Sequence, residues 1–323
     1  MRVLVTGAQG CIGAWVVKLL LDRGIPALIY DLDPNPARLS LLAPSDEIRK
    51  LRMELGSIED TERVKALVRD EEITHIVHLA GVLIPFCQQK PIRGAMTNVI
   101  GTLSMFEAAR DAGRPVRIAY ASSAAVWGRS EEYEDRALSE NDALHPETHY
   151  GVYKQANEGN ARVFYLANGI SSIGLRPWTV YGVGRDRGLT AGPTIAVKAA
   201  VLGKPFQIRA SGYMDLQYVE DVADAFLTCA LSGLPGAHVF NLSGDVVSMD
   251  EFVRTLDDLR PGARELITAS GPQVPVAYKM DDSALRANVP GIRKTPLREG
   301  LRRTLEIFDR LKAEGRLPAE LDY

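Results

Sequence analysis

The sequence predicts a doubly wound α/β fold: a parallel sheet with helices on both faces and a smaller lobe woven onto it toward the C-terminus. Three observations predict it. Short β-branched apolar runs alternate with helix-length segments through the first half of the chain. The first of these runs opens directly into a glycine-rich turn and then a helix. Past Arg176 the elements become shorter and richer in proline and glycine, with no linker loose enough to free a separate domain.

The elements follow in order. RVLVT (2–6) is the first strand. Glycines then open a helix, AWVVKLLLDRG, whose Trp15, Val16, Leu19 and Leu20 share one buried face and which closes on Gly24. PALIY (26–30) is the second strand, and after a loop with Pro34 and Pro36 the third lies in KLRMEL (50–55). A helix over 61–68 leads to THIVHLA (74–80), a helix over 95–112 to VRIAYASS (116–123), and one starting near Tyr150 to SSIGLR (171–176). Later come a helix near 193–202, a strand FQI, a helix at 219–231 and a strand HVFNL. The last helix, 297–312, carries many charges and is expected to be a solvated outer element.

Bulk properties exclude several classes of function. The net charge of -3, with no basic block, gives no electrostatic footprint for nucleic acid or anionic lipid. The N-terminus MRVLVTGAQG lacks the pattern of a signal peptide, and no apolar run approaches the ~20 residues that span a bilayer, so no membrane role is expected. Cys11, Cys87 and Cys229 cannot all pair with one another and match no zinc spacing. They read as reduced, mostly buried side chains of a cytoplasmic protein. His145, His149 and His238 form no metal-ligand pattern, and no metal is expected.

TGAQGCIG (6–13) sits between strand and helix, the setting in which a glycine motif holds a dinucleotide. Gly7, Gly10 and Gly13 let the backbone approach a pyrophosphate and aim the helix N-terminus at it, with Cys11 and Ile12 inside the same turn. The spacing is G-x-x-G-x-x-G. Asp31 ends the second strand, where a carboxylate can accept both ribose hydroxyls and would repel a 2′-phosphate. No arginine or lysine immediately follows it. The expected cofactor is therefore NAD and the fold Rossmann-type. Residues 1–177 are expected to form mainly the dinucleotide-binding domain, with segments at about 217–243 returning to it. Residues 178–323 are expected to form mainly a substrate-binding lobe.

Serines end the strand at SSAAVWG (122–128), and in HYGVYK Tyr150 and Lys154 lie four apart, on one face of a helix. Moving a hydride from an alcohol needs a base for the hydroxyl proton. A tyrosine is mostly protonated near neutrality, and a lysine ammonium one turn away would favour its phenolate. A serine hydroxyl can hold the substrate oxygen. Tyr153 falls off that face and reads as packing or a subunit contact, and Glu158 reads as a partner for Lys154 or a solvated helix residue.

With these residues in view the chain resembles the extended short-chain dehydrogenase/reductases, also called the NAD-dependent epimerase/dehydratase family. The resemblance runs over nearly the whole chain, through TGAQGCIG, Asp31, VHLAG (77–81), NVIGT (98–102), SSAAVWG, YGVYK, LRPWTVYG (175–182), YVEDVADAF (218–226) and FNLSG (240–244). It implies Ser123, Tyr150 and Lys154 as the catalytic triad, with Tyr150 and Lys154 also at the cofactor. It implies that Leu79, Ala80 and Gly81 pass along the cofactor and that Asn98 lies near it, although Asn98 also suits a helix N-cap. Ser57, beside Ile58 in LGSIED, stands where the family often has an aspartate at the adenine. Thr179 and Met214 replace an asparagine and an arginine that commonly serve a nucleotide diphosphate, which leans against a nucleotide-sugar.

The candidate substrate contacts are Ser123, Thr179, Arg185, Arg187 and Gln217. Leu83, Ile84, Pro85 and Phe86 read either as an apolar wall over the nicotinamide or as simple packing, His78 as a packed strand residue and Asp221 as structural. The leading expectation is an NAD-dependent oxidoreductase acting on a secondary alcohol of a sugar, sugar acid or similar small polyhydroxylated compound. An NAD-dependent sugar epimerase, of a free sugar or a nucleotide-sugar, that retains its cofactor fits the same triad, and a non-catalytic dinucleotide sensor or scaffold fits the fold but not the intact triad. The resemblance also implies a homodimer built through the helices near 95–112 and 150–168.

Overall fold

The computed structural model describes residues 1–321. Twelve strands are numbered in chain order: β1 Val3–Thr6, β2 Ala27–Asp31, β3 Arg52–Leu55, β4 His75–His78, β5 Arg117–Ala121, β6 Ser172–Arg176, β7 Thr179–Tyr181, β8 Phe206–Ile208, β9 Tyr213–Tyr218, β10 Ala237–Asn241, β11 Asp245–Ser248 and β12 Ile267–Ala269. Seven of them form one sheet in the order β10-β6-β5-β4-β1-β2-β3, with every neighbouring pair parallel. β11, β9 and β7 make a small mixed sheet, and β12 pairs with β8.

The strands are apolar because both faces of the large sheet are covered. In β1, Val3 and Val5 enter the core beneath the Cys11–Asp22 and Val219–Leu231 helices, while Leu4 enters a second core with Val64, Val68, Phe106 and Tyr120. The period of two sends alternate residues to opposite faces. β3, at the edge, exposes Arg52 and Leu55 and carries the charge expected of an unpaired rim.

Register aligns the strand ends. Thr6 lies opposite Tyr30 on one side and His78 on the other, and His78 lies opposite Tyr120. The residues that follow, Gly7, Asp31, Leu79 and Ala121, therefore emerge on one edge of the sheet. Strand order reverses between β1 and β4, which opens a crevice at that edge.

Two elements differ from the sequence reading. The Leu297–Ala313 helix is not a free outer element: Leu297, Leu301, Leu305, Phe308 and Leu311 are buried in the larger core, and the charges occupy only its outer face. The apolar stripe is spaced so widely among charged neighbours that their number hides it. The helix expected over 95–112 is interrupted, running as Pro91–Ala95, a π-helical turn Met96–Ile100, and Gly101–Asp111. Among the described residues no helix is long and apolar enough to cross a membrane, no group of side chains could hold a metal, and the three cysteines are free.

Candidate active site

The strand ends and the first loop of the C-terminal lobe wall one cavity. Gly7, Gly10, Cys11, Ile12 and Gly13 line one end of it, and Leu79 and Gly81 continue the wall. Ser122, Ser123, Tyr150 and Lys154 line it as well. Arg185, Arg187 and Thr190 also line it, together with Val274 and Val276.

The glycine turn suits a pyrophosphate. Gly7 has φ of +68°, and a Cβ there would lie 2.6 Å from the Ala80 nitrogen. At Gly13 a Cβ would lie 2.2 Å from the Gly7 carbonyl oxygen. The helix beginning at Cys11 has no side-chain cap on its first N–H groups, which leaves them for an anion. Asp31 accepts from the Gln9 N–H at 2.9 Å and from the Asp33 N–H at 3.1 Å, tying the end of β2 to the glycine turn. These residues fit a dinucleotide.

One basic residue there escaped the sequence reading. Arg38 donates to the Gln9 carbonyl at 2.7 Å and places its Nη2 2.6 Å from the Asp186 carboxylate. It thus bridges the glycine turn and the loop after β7. No motif marks it, because its partner lies far along the chain.

Asn98 sits inside the π-helical turn and not at an N-cap. Its side-chain amide donates to the carbonyls of Val82 and Gly94 at 3.1 and 3.0 Å. Its own backbone carbonyl, freed by the wider turn, accepts from Thr102 and Asn157 at 2.7 and 2.8 Å. Its Oδ1 is buried without a partner, and a Cβ on Gly81 would lie 2.7 Å from it. Asn98 therefore supports the Gly81–Val82 segment from behind. His78 is packed, as expected: it contacts the Thr6 hydroxyl at 2.7 Å and the Thr102 hydroxyl at 3.1 Å, and burial pushes it down to about 3.

Several candidates stand outside the cavity wall. Ser57 accepts from the Glu59 N–H at 3.1 Å and from the Tyr30 hydroxyl through its carbonyl at 3.0 Å, as a turn residue does. Ile58 is buried against Gly101, and Ala80 backs onto Gly7. Thr179 and Gln217, expected as substrate contacts, do not line this cavity. Thr179 is fully buried, with its hydroxyl 3.9 Å from the Met214 sulfur. Gln217 accepts from the Trp178 N–H at 3.1 Å and donates to Asp215 and to the Leu242 carbonyl at 3.0 and 2.9 Å. Both side chains turn into the lobe, a choice of face that residue type does not reveal. Arg185 and Arg187 do line the cavity. Arg185 donates to the Thr190 hydroxyl at 3.0 Å, while its Nε is buried with no protein partner.

The His149–Asn168 helix begins at a Thr148 cap and carries Tyr150 and Lys154 into the cavity. Lys154 is 5% exposed, donates to the Ala121 carbonyl at 2.7 Å and lies 5.4 Å from the Tyr150 ring. Burial pulls it down to about 8. Burial also raises the Tyr150 phenol, with a Ser123 hydrogen bond and the Arg185 charge pulling the other way. Ser123 and Arg185 are thus counterweights to burial at Tyr150. Tyr153 donates to the Pro91 carbonyl at 2.7 Å and belongs to packing. Glu158 neither pairs with Lys154 nor meets solvent; it is buried against Arg176 and Ser122. Leu83, Ile84 and Pro85 line the cavity, and Phe86 does not.

Comparison with known proteins shows the family. Residues 3–243 match the model of the NAD dependent epimerase/dehydratase family. A UDP-glucose 4-epimerase of Azospirillum brasilense is 30% identical over 297 residues, which cover 86% of this chain and 80% of that protein. A dTDP-4-dehydro-6-deoxyglucose reductase of Escherichia coli is 28% identical over 263 residues, covering 79% of this chain and 80% of the other. The crystal structure of a UDP-glucose 4-epimerase from Thermus thermophilus, in complex with NAD, superposes with a TM-score of 0.79 at 25% identity over 95% of this chain and 99% of that one. A glycine turn fit for a pyrophosphate, a serine, tyrosine and lysine gathered in one cleft, and a family match spanning most of the chain lead to one conclusion: this chain belongs to the NAD-dependent epimerase/dehydratase family and is an NAD-dependent enzyme of the extended short-chain dehydrogenase/reductase type.

Proposed function

We propose that the enzyme oxidises a secondary alcohol of a small sugar, sugar acid or similar polyhydroxylated compound, and runs the same steps backwards in reduction. Bound NAD supplies the hydride acceptor. Gly7, Gly10, Cys11, Ile12 and Gly13 would hold its pyrophosphate, Asp31 its ribose, Leu79 and Gly81 its path to the nicotinamide end, and Lys154 the second ribose. Residues 1–177 would carry this site, helped by the later helix and strand within 217–243, and residues 178–323 the substrate. Tyr150 takes the hydroxyl proton, Ser123 holds the substrate oxygen, and the Lys154 ammonium steadies the phenolate.

Arg185 carries the choice of an acid. A guanidinium nitrogen buried in the wall without a partner, on a side chain whose charge reaches Tyr150, asks for an anionic group on the substrate. Thr179 and Met214, in contact with each other and closed to solvent, argue against a nucleotide diphosphate at those positions. Purified enzyme should therefore reduce NAD with free sugar acids more efficiently than with neutral sugars. Arg185→Met should raise KM for the acids roughly tenfold or more. Neutral sugars used as well as acids would overturn the choice.

The epimerase reading has an observation of its own. The Arg38–Asp186 bridge ties the loop after β7 to the glycine turn, a tether that would slow cofactor exchange. Denaturing the purified protein and quantifying the released nucleotide separates the two readings. Stoichiometric NAD that does not exchange, with sugars interconverted and no net NADH, would favour the epimerase. Val152, Val163 and Leu166 leave apolar surface on the outer side of the His149–Asn168 helix, which supports a homodimer. The free cysteines suit the reducing cytoplasm.

A further inference from the structure

Glu158 follows Tyr150 and Lys154 at the same interval of four, so the three share one face of the His149–Asn168 helix. That face meets three consecutive residues at the end of β5. Lys154 donates to the Ala121 carbonyl at 2.7 Å, Ser122 donates to the Glu158 Oε1 at 2.5 Å, and Ser123 lines the same cavity as Tyr150. Ser123 is in extended backbone, φ -165° and ψ 151°, so its side chain and that of Ser122 point to opposite sides.

Glu158 is itself held on both oxygens. Arg176, at the end of the neighbouring strand β6, donates to Oε1 and Oε2 at 2.8 Å each. The pair is closed off from water, with side-chain exposures of 3% for Arg176 and 9% for Glu158. The Arg176 guanidinium lies 4.7 Å from the Trp127 ring, in the segment that follows Ser123, and reaches Asn241 at 3.4 Å. Desolvating two charges makes a buried ion pair a weak source of net stability, whereas its fixed fork-to-fork geometry sets positions well. Here it grips the chain on both sides of Ser123.

We propose that Glu158, locked by Arg176, is a positioning residue: through Ser122 it fixes the end of β5 against the His149–Asn168 helix so that Ser123 meets Tyr150. This rests on Tyr150 as the acid/base. Its test reads Tyr150 ionisation directly, without turnover. Protein labelled with 13C-tyrosine is titrated by NMR in saturating NAD, the Tyr150 signal being identified by its loss in Tyr150→Phe. Ser122→Ala keeps the buried ion pair intact and should fold. It should raise the Tyr150 pKa by roughly 0.5–1 unit, the worth of one hydrogen bond. Ser122→Thr should restore it. Ser122→Ala should add nothing in a Ser123→Ala background, because it acts through that hydroxyl. Glu158→Gln should shift Tyr150 in the same direction, whatever it does to the melting temperature.

A lowered melting temperature in Ser122→Ala and Glu158→Gln with the Tyr150 pKa unchanged would overturn the proposal and leave the acid/base reading standing. So would a further shift of equal size in the double variant. A Tyr150 that never titrates with NAD bound would sink both.

Discussion

Burial pushes both Lys154 and Tyr150 toward their neutral forms, which brings Lys154 down to about 8, near physiological pH, and moves the Tyr150 phenol up and away from it. For Lys154 the consequence for stability has a definite sign. Its pKa falls from 10.5 unfolded to about 8 folded, so between those values the unfolded chain binds more protons and stability rises with pH. The penalty of burying the ammonium is present in full below about pH 8 and is relieved above it. Lys154→Met should remove this rise. Urea denaturation from pH 7 to pH 10 should show the wild type gaining up to about 3 kcal/mol on the variant, while catalysis that needs the ammonium declines over the same range. Parallel curves would mean that Lys154 is not buried as a cation. The spacing of Tyr150 and Lys154 was readable in the sequence, and so was the helix that carries them. The partners of Glu158 were not, because Arg176 comes from another strand.

At the scale of elements, the first strand, turn and helix were legible because glycine at each of three positions has a steric reason. Gly13→Ala would force a Cβ to 2.2 Å from the Gly7 oxygen and 2.7 Å from the Ala8 Cα. It should abolish measurable NAD binding and lower the melting temperature. Gly159→Ala is the control, since a Cβ there meets nothing within 4 Å, and it should stabilise the helix by about 0.5–1 kcal/mol. Equal NAD affinity in Gly13→Ala and wild type would contradict the packing argument. The π-helical turn around Asn98 was not legible, because it is set by Thr102 and Asn157 taking the freed carbonyl and not by local propensity. The buried stripe of the last helix was masked by its charges in the same way.

At the scale of the whole molecule, alternation of strand and helix foretold the parallel sheet, and register delivers the glycine turn, the serine and the sheet's switch point to one edge. What the sequence withheld is how the lobe closes on that edge. Arg38 meets Asp186 across 148 positions, and Val274 and Val276 reach the cavity from farther still. Contacts so distant leave no local pattern, which is why the glycine-turn part of the cavity was more legible than the part walled by the lobe. Tyr150 is proposed to move the substrate's proton in an NAD-dependent reaction. This role is tested most directly by Tyr150→Phe, measured for NAD affinity by calorimetry and for turnover with the sugar or sugar acid on which the wild type acts. The expected result is a loss of turnover of roughly 10²–10⁴-fold with NAD affinity nearly unchanged. Turnover at the wild-type rate would contradict it.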